Sequence, residues 1–287
     1  MAKDRQIRIV HGSFGRATLH RISGPLVAHA HAEFHLIFKI GGTDATFRID
    51  GEPVTLTDGC ALLVNPWSTH AKTAQDGSPS LLLALLLEPE WLGRTLGIDN
   101  PASGLRFGET LVRMEADTIA SLSALGTCLA RDLADDSAIG SPDFEAAVAE
   151  VVRKVSASHL QRRSMTEVLA STRPLDYRIK RATEYIRSHA GENPNVETVA
   201  SAVGMSRSRL FHQFKACMGI SPQQYLDWIR IGIATRLLSE RHASIGDVAH
   251  QLGFSAQGHF TRFFVQHLGL SPSEFRRTGM PGGAQAD

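Results

Sequence analysis

Residues 244–276 read SIGDVAHQLGFSAQGHFTRFFVQHLGLSPSEFR, and this stretch decides the fold of the C-terminal third. Small Ala249 lets a neighbouring helix approach closely. Gly253 stands where a helix must end with a positive φ, a conformation cheap only for glycine. Ser255 is placed to cap the helix that follows. Phe260 and Phe264, at i and i+4, give that helix one buried face. Ser271 and Glu274 have the spacing of a capping box, with Pro272 at the first position of a further helix. The expected local structure is helix, tight turn, helix.

An upstream copy exists. Gly204-Met205-Ser206 precedes Gly253-Phe254-Ser255 by 49 residues. Leu210 and Phe214 precede Phe260 and Phe264 by 50, so the second copy carries one extra residue. Gly219-Ile220-Ser221-Pro222 likewise precedes Gly269-Leu270-Ser271-Pro272 by 50. Ala200 and Ser206 repeat the roles of Ala249 and Ser255, and Ser221 with Gln224 repeats the capping box. Residues 222–239 are predicted as the joining helix, with Tyr225, Leu226, Ile229, Ala234, Leu237 and Leu238 toward the core. Gly232 lies inside it, at a cost of about 1 kcal/mol relative to alanine.

The second helix of each unit leaves one face free. In the first unit this face offers Arg207, Ser208, Arg209, His212 and Lys215. In the second it offers Gln257, Gly258 and Arg262, with His259 at its edge. Arginine can bond guanine bidentately, glutamine can do so with adenine, and lysine serves phosphate. Two such faces on a rigid spacer suit successive major-groove segments, about 34 Å apart. Residues 176–278 carry 13 Lys and Arg against 8 Asp and Glu, although the whole chain is only +1. That local excess suits a polyanionic partner.

Over about residues 176–276 the chain resembles the DNA-binding domain of the AraC/XylS transcription regulators. The order of Gly253-Phe254, Phe260, Arg262, Phe264, Gly269 and Ser271-Pro272 carries the resemblance. It implies a sequence-specific, ligand-responsive regulator, an activator, whose partners are promoter DNA, a small-molecule effector, a second copy of the chain and RNA polymerase.

Farther from this core, residues 1–112 look β-rich. The runs 34–40, 45–49, 61–64 and 81–87 are separated by Gly41-Gly42, Asp50-Gly51, Asp58-Gly59 and Asp76-Gly77, the punctuation of short strands in a barrel or sandwich. Ile119, Leu122, Leu125, Leu129 and Leu133 then recur at helical spacing. After a break over residues 135–142, Phe144, Val148, Val151, Val152 and Val155 mark a second helix. This pair either packs on its own barrel or forms a dimer interface.

His29, His31, Glu33 and His35 alternate, as on one face of a strand, with Ala30, Ala32, Phe34 and Leu36 on the other. Binary patterning buries the latter face and exposes the histidines. Yet His-x-His, a glycine turn at Gly59 and the later Pro66-Trp67-Ser68-Thr69-His70 resemble the two motifs of the cupin barrel. Cupin-like domains precede the DNA-binding domain in many AraC-type regulators, and that resemblance points the histidines inward. Three roles stay open for them: metal ligands, structural groups, or the lining of an effector pocket made by His29, His31, His35, Trp67 and His70. The pocket is the expectation, with no metal and no cofactor. A metal-binding cupin sensor or enzyme domain fused to the DNA-binding domain is the alternative.

The expected fold class is thus α+β with two domains. A cupin-like effector-binding and dimerisation domain with a helical pair spans 1–160, and a linker 161–175. An all-α DNA-binding domain with two helix-turn-helix units spans 176–278, and a flexible tail 279–287. No nucleophile–base pair, phosphate loop or cysteine pair is present, so no enzymatic role is expected. The apolar fraction of 43% is ordinary, no apolar run reaches membrane-spanning length, and a cytoplasmic location is expected.

Overall fold

The computed structural model describes residues 7–74, 78–98, 105–130, 142–156, 158–162, 177–240 and 243–280. Its N-terminal part holds strands β1 (Ile7–Gly12), β2 (Gly15–Ile22), β3 (Leu26–His29), β4 (Phe34–Gly42), β5 (Ala45–Ile49), β6 (Glu52–Leu56), β7 (Cys60–Val64), β8 (His70–Lys72) and β9 (Ser80–Leu87). After a short helix α1 (Pro89–Thr95) come β10 (Leu105–Phe107), β11 (Leu111–Arg113), α2 (Ala116–Ala130), α3 (Pro142–Ser156) and β12 (Leu160–Arg162). A two-residue strand, β13 (Gly279–Met280), ends the described chain. The strands form a seven-stranded sheet in the order β11-β7-β4-β9-β2-β1-β13, a four-stranded sheet β3-β8-β5-β6, and the small pair β10-β12. The four strand runs anticipated from sequence are β4, β5, β7 and β9. Asp50 and Gly51 both have positive φ (49° and 95°), as a tight two-residue hairpin requires. Asp76-Gly77 lies outside the described residues.

Both faces of the large sheet are covered. On β4, Phe34, Leu36 and Phe38 are buried against Leu122, Leu125, Leu129, Val148, Val151 and Val152 of the helix pair. Ile37 points the other way and joins Phe47, Leu62, Val64 and Leu82 between the two sheets. Successive side chains of a strand alternate faces, so a strand sandwiched between helices and a second sheet buries its polar positions too. His31, His35 and His70 are accordingly buried. The binary expectation of an exposed histidine face fails for this reason. The histidines also do not share one strand: β3 ends at His29, residues 30–33 turn, and His35 belongs to β4. The helix pair packs on its own sheet. Leu133 and the break at 135–141 lie outside the described residues, as does most of the expected linker; Gln161 and Arg162 pair with β10.

The C-terminal part consists of α4 (Tyr177–His189), α5 (Val196–Ala202), α6 (Arg207–Met218), α7 (Pro222–Glu240), α8 (Ile245–Gln251), α9 (Gln257–Leu268) and α10 (Pro272–Thr278). Helices α5–α6 and α8–α9 are the two helix-turn-helix units, joined by α7. Gly204 and Gly253 follow α5 and α8 with φ of 65° and 69°. Ser206 caps α6 by accepting from the Arg209 amide. Its counterpart does not cap α9. The extra residue moves the cap to Ala256, which has no side-chain bond to give, and Ser255 instead pairs with His259 at 3.0 Å. Both Ser-Pro capping boxes form: the Gln224 and Glu274 side chains accept from the amides of Ser221 and Ser271, whose hydroxyls accept in return.

The two parts are stitched together. Each helix-turn-helix core takes in residues from the barrel, buried Ala30 with Trp67 packed beside it in the first and Ile9 in the second. Gly269 ends α9 with φ 73°, and a Cβ there would lie 2.8 Å from atoms of His20 and Ile22. The positive φ favours glycine here, and a larger residue would also have to displace the His20 and Ile22 side chains. Gly279 and Met280 pair in parallel with Ile9 and Val10. The expected flexible tail is thus corrected at its first two residues, because β1 offers them an open sheet edge.

Candidate functional site

Two surfaces follow from this architecture. The first is the pair of recognition-helix faces. Arg207, Ser208, Arg209, His212 and Lys215 on α6 are all exposed, as are Gln257, Gly258, His259 and Arg262 on α9. The opposite faces are anchored by fully buried Leu210, Phe214, Phe260 and Phe264, each contributing about 1.5–3 kcal/mol by leaving water. Phe211, 40% exposed beside His212, was not anticipated. An exposed aromatic next to basic residues is suited to apolar contact with a thymine methyl. Arg262→Ala is expected to cost about 1–3 kcal/mol in DNA affinity and to relax selectivity at one base position. Competition binding against single-base variants measures this, and an unchanged preference contradicts it.

The second surface is internal. A cavity of about 290 Å³ lies between the sheets and the helical domain. Strands β1, β2, β4 and β9 supply Ile9, Arg16, Thr18, His20, Ile37 and Leu82. The helical part adds Trp228, Ile231, Gly232 and Thr235 of α7, and His267 and Leu268 of α9. Gly232 borders open space, with no atom within 4 Å of where a Cβ would lie. Gly232 is exposed where it borders the cavity.

His29, His31, His35 and His70 do come together, along one side of this cavity. His35 Nδ1 is 3.4 Å from His31 Nε2 and 3.3 Å from His70 Nε2. The His29 ring lies 4.2 Å from that of His70 and 6.3 Å from that of His267 on α9. Burial, reinforced by the neighbouring rings, pushes His29 down to about 3 and holds His35 and His70 well below the usual histidine range. Burial and the Arg16 charge push His11 down to about 4. Burial pushes the Glu33 carboxyl up, but the His31 hydrogen bond and the charges of His31 and Arg16 outweigh it and hold it below its ordinary value. The cavity therefore combines apolar walls with a cluster of histidines and the charged groups Arg16 and Glu33, the latter 3.3 Å from His31.

Trp67 is not part of this lining. It packs 5.0 Å from Trp228 and 5.7 Å from Tyr225, joining the barrel to the first helix-turn-helix unit. Sequence reasoning missed Arg16, Lys72, Trp228 and His267. The one local signal was the i, i+2 run Arg16, Thr18, His20, Ile22 on β2, set against buried Ala17 and Leu19.

Comparison with known proteins agrees with this two-part organisation. Residues 13–140 match the family described as AraC-like ligand binding domain, and residues 199–278 a helix-turn-helix domain family. The arabinose operon regulatory protein of Escherichia coli (strain K12) is 40% identical over 104 residues. That match spans only 36% of either chain. The HTH-type transcriptional activator RhaS of Enterobacter sp. (strain 638) is 25% identical over 251 residues, 86% of each chain. Among solved structures, wild-type ToxT from Vibrio cholerae strain SCE256, with an unsaturated fatty acid bound, has a TM-score of 0.53 at 14% identity, over 99% of this chain and all of its own. That likeness shows the shared fold.

Proposed function

Given that the chain belongs to the AraC/XylS family of transcription regulators, we propose that it is a ligand-responsive activator whose effector occupies the cavity between barrel and DNA-binding domain. The sensor part would extend to about residue 160 and the DNA-binding part over 176–278. The observation that carries this reading is the shared wall. Helix α7 sets the relation of the two recognition helices, and it also closes the cavity through Trp228, Ile231 and Gly232. A ligand that prefers one placement of α7 shifts the DNA-binding equilibrium by its differential affinity for the two placements. The apolar walls and the polar lining groups, Arg16, Glu33 and the histidines, suit a small organic molecule with an apolar body and a polar head. Among the described residues no helix is long and apolar enough to cross a membrane. A second copy of the chain and RNA polymerase are the further partners of this reading, and its relatives speak for a regulator rather than an enzyme.

Gly232→Leu tests it. The leucine adds bulk at a residue bordering the cavity and improves the helix propensity of α7 by about 1 kcal/mol. A compound that raises the melting temperature of the native chain and changes its affinity for operator DNA is expected to do neither in the variant. Equal responses in both proteins place the effector elsewhere.

A further inference from the structure

We infer that the cavity takes a zwitterion, an amino acid with an apolar side chain, its carboxylate bound by Arg16 and its ammonium by Glu33. The site is that of the regulatory reading, on which this inference rests. Two opposite charges line the cavity without meeting. Arg16 makes no hydrogen bond and no ion pair with any described residue, and its Nε is buried with nothing to donate to. A guanidinium carries five N–H donors and keeps its charge inside a protein. Arg230 shows how this chain treats a buried arginine that is structural: it donates to the Leu252 carbonyl at 2.7 Å and stacks on Phe254. Glu33 is also short of partners. A carboxylate has about four acceptor positions. Beyond its own backbone amide, that of Glu33 has His31 Nδ1 at 3.3 Å, a nitrogen that already donates to the Glu33 carbonyl at 3.1 Å. Burial lowers the Arg16 pKa and the Glu33 charge opposes that, so the two side chains feel each other across the gap.

Buried charges left without partners are costly. A simple carboxylate would serve Arg16 and set a like charge before Glu33. A simple amine would do the reverse. A neutral polyol could bond both but would leave each charge without a counter-charge. A molecule bearing both charges satisfies both residues and leaves the filled cavity neutral. The sheet also provides for an apolar body. Arg16 pairs with Leu86, and Leu86 with His35. Two residues along, on the same face, Thr18 pairs with Ala84, and Ala84 with Ile37. Ala84 is the single non-leucine in the run 81–87, and it lines the cavity. A small residue there lowers the floor beside Arg16, where the ligand's side chain would lie against Ile37 and Leu82.

The test is isothermal titration calorimetry of the full chain with two series of probes. One is L-phenylalanine, 3-phenylpropanoate and phenethylamine. The other is L-leucine, 4-methylpentanoate and 3-methylbutylamine. At least one amino acid is expected to bind, and its two relatives, each lacking one charge, about 10–100-fold more weakly, the effect of one lost charge-assisted bond. In Arg16→Met the amino acid should lose its advantage over the amine, and in Glu33→Gln its advantage over the carboxylate. The ligand-free Arg16→Met protein should melt no lower than the native one, because no bond is lost with that charge. A lower melting temperature marks a structural arginine and counts against the site. A carboxylate or amine that binds as tightly as its parent amino acid overturns the zwitterion. So does the absence of any binding tighter than about 1 mM among the six probes. These probes act on the native protein, so they decide the matter if a variant fails to fold. A cavity ligand of another class that shifts operator affinity, with none of the six bound, overturns the zwitterion and leaves the regulatory reading standing. An amino acid that binds as expected without changing operator affinity supports the site and removes the regulatory reading.

Discussion

Affinity for a mapped operator is expected to fall by about 10³-fold between 50 and 200 mM salt. The four exposed cations Arg207, Arg209, Lys215 and Arg262 per chain make eight when two copies sit on a duplex. With about two of these spent on bases, roughly six phosphate contacts give a log–log slope near −5, since each contributes about −0.9. Arg207→Ala should flatten the slope by about one per copy while leaving base preference unchanged. Titration by fluorescence anisotropy at four salt concentrations measures both. A slope near zero contradicts a phosphate-anchored interface, and a slope that Arg207→Ala does not alter removes that residue from it.

The second large effect is expected from Arg230, a buried charge in the middle of α7. Its guanidinium donates to the Leu252 carbonyl at 2.7 Å, at the turn of the second helix-turn-helix unit. It also lies 4.0 Å from the ring centre of Phe254 and 5.0 Å from that of Phe263. Burial lowers its pKa to about 10 against the opposing pull of Asp227, so it stays charged at neutral pH. Alanine removes a charge-assisted bond of about 1.5–3 kcal/mol and leaves the carbonyl at the helix end without that donor. It also removes cation–π contacts of about 1–2 kcal/mol. The recovered hydration of the arginine offsets part of this, and a net loss of about 2–4 kcal/mol is expected. Arg230→Lys keeps the charge but not the planar stack and should lose an intermediate amount. Denaturant unfolding followed by helical circular dichroism gives the number. A loss under about 0.5 kcal/mol, the range of ordinary surface substitutions, shows that the arginine does not hold α7 to the second unit.

Arg230 illustrates which features sequence makes legible. The two helix-turn-helix units were readable because every signal in them is local: turn glycines, capping serines, phenylalanines four residues apart. Where one residue was inserted, local reading erred, and Ser255 gave up the cap that Ser206 keeps. Features that depend on distant packing were not readable. Arg230 falls four residues from Leu226 and Ala234, on the buried face of α7, but an arginine is not read as core, and only the approach of Phe254 and Leu252 shows why a charge sits there. The barrel histidines were recognised as a set from their spacing, but their burial depends on a second sheet that no alternation within β4 reveals. Trp67 was grouped with them by its nearness to His70, whereas its positive φ of 64° turns the chain there and the ring packs among Tyr225 and Trp228. β1 and β2 escaped notice because Arg8, His11, Arg16, His20 and Arg21 interrupt their apolar pattern. Several of these polar residues belong to the cavity, so the same property that hid the strands makes the site.

Selection of duplexes from a random-sequence pool by the full chain tests the central claim most directly, namely that two unequal recognition helices in one chain read adjacent groove segments. The expected result is a site with two short conserved motifs centred about 10–10.5 base pairs apart. Information in one of the two motifs should be lost in a Gln257→Ala, Arg262→Ala variant. Enrichment of a single motif, or no enrichment above the starting pool, contradicts it.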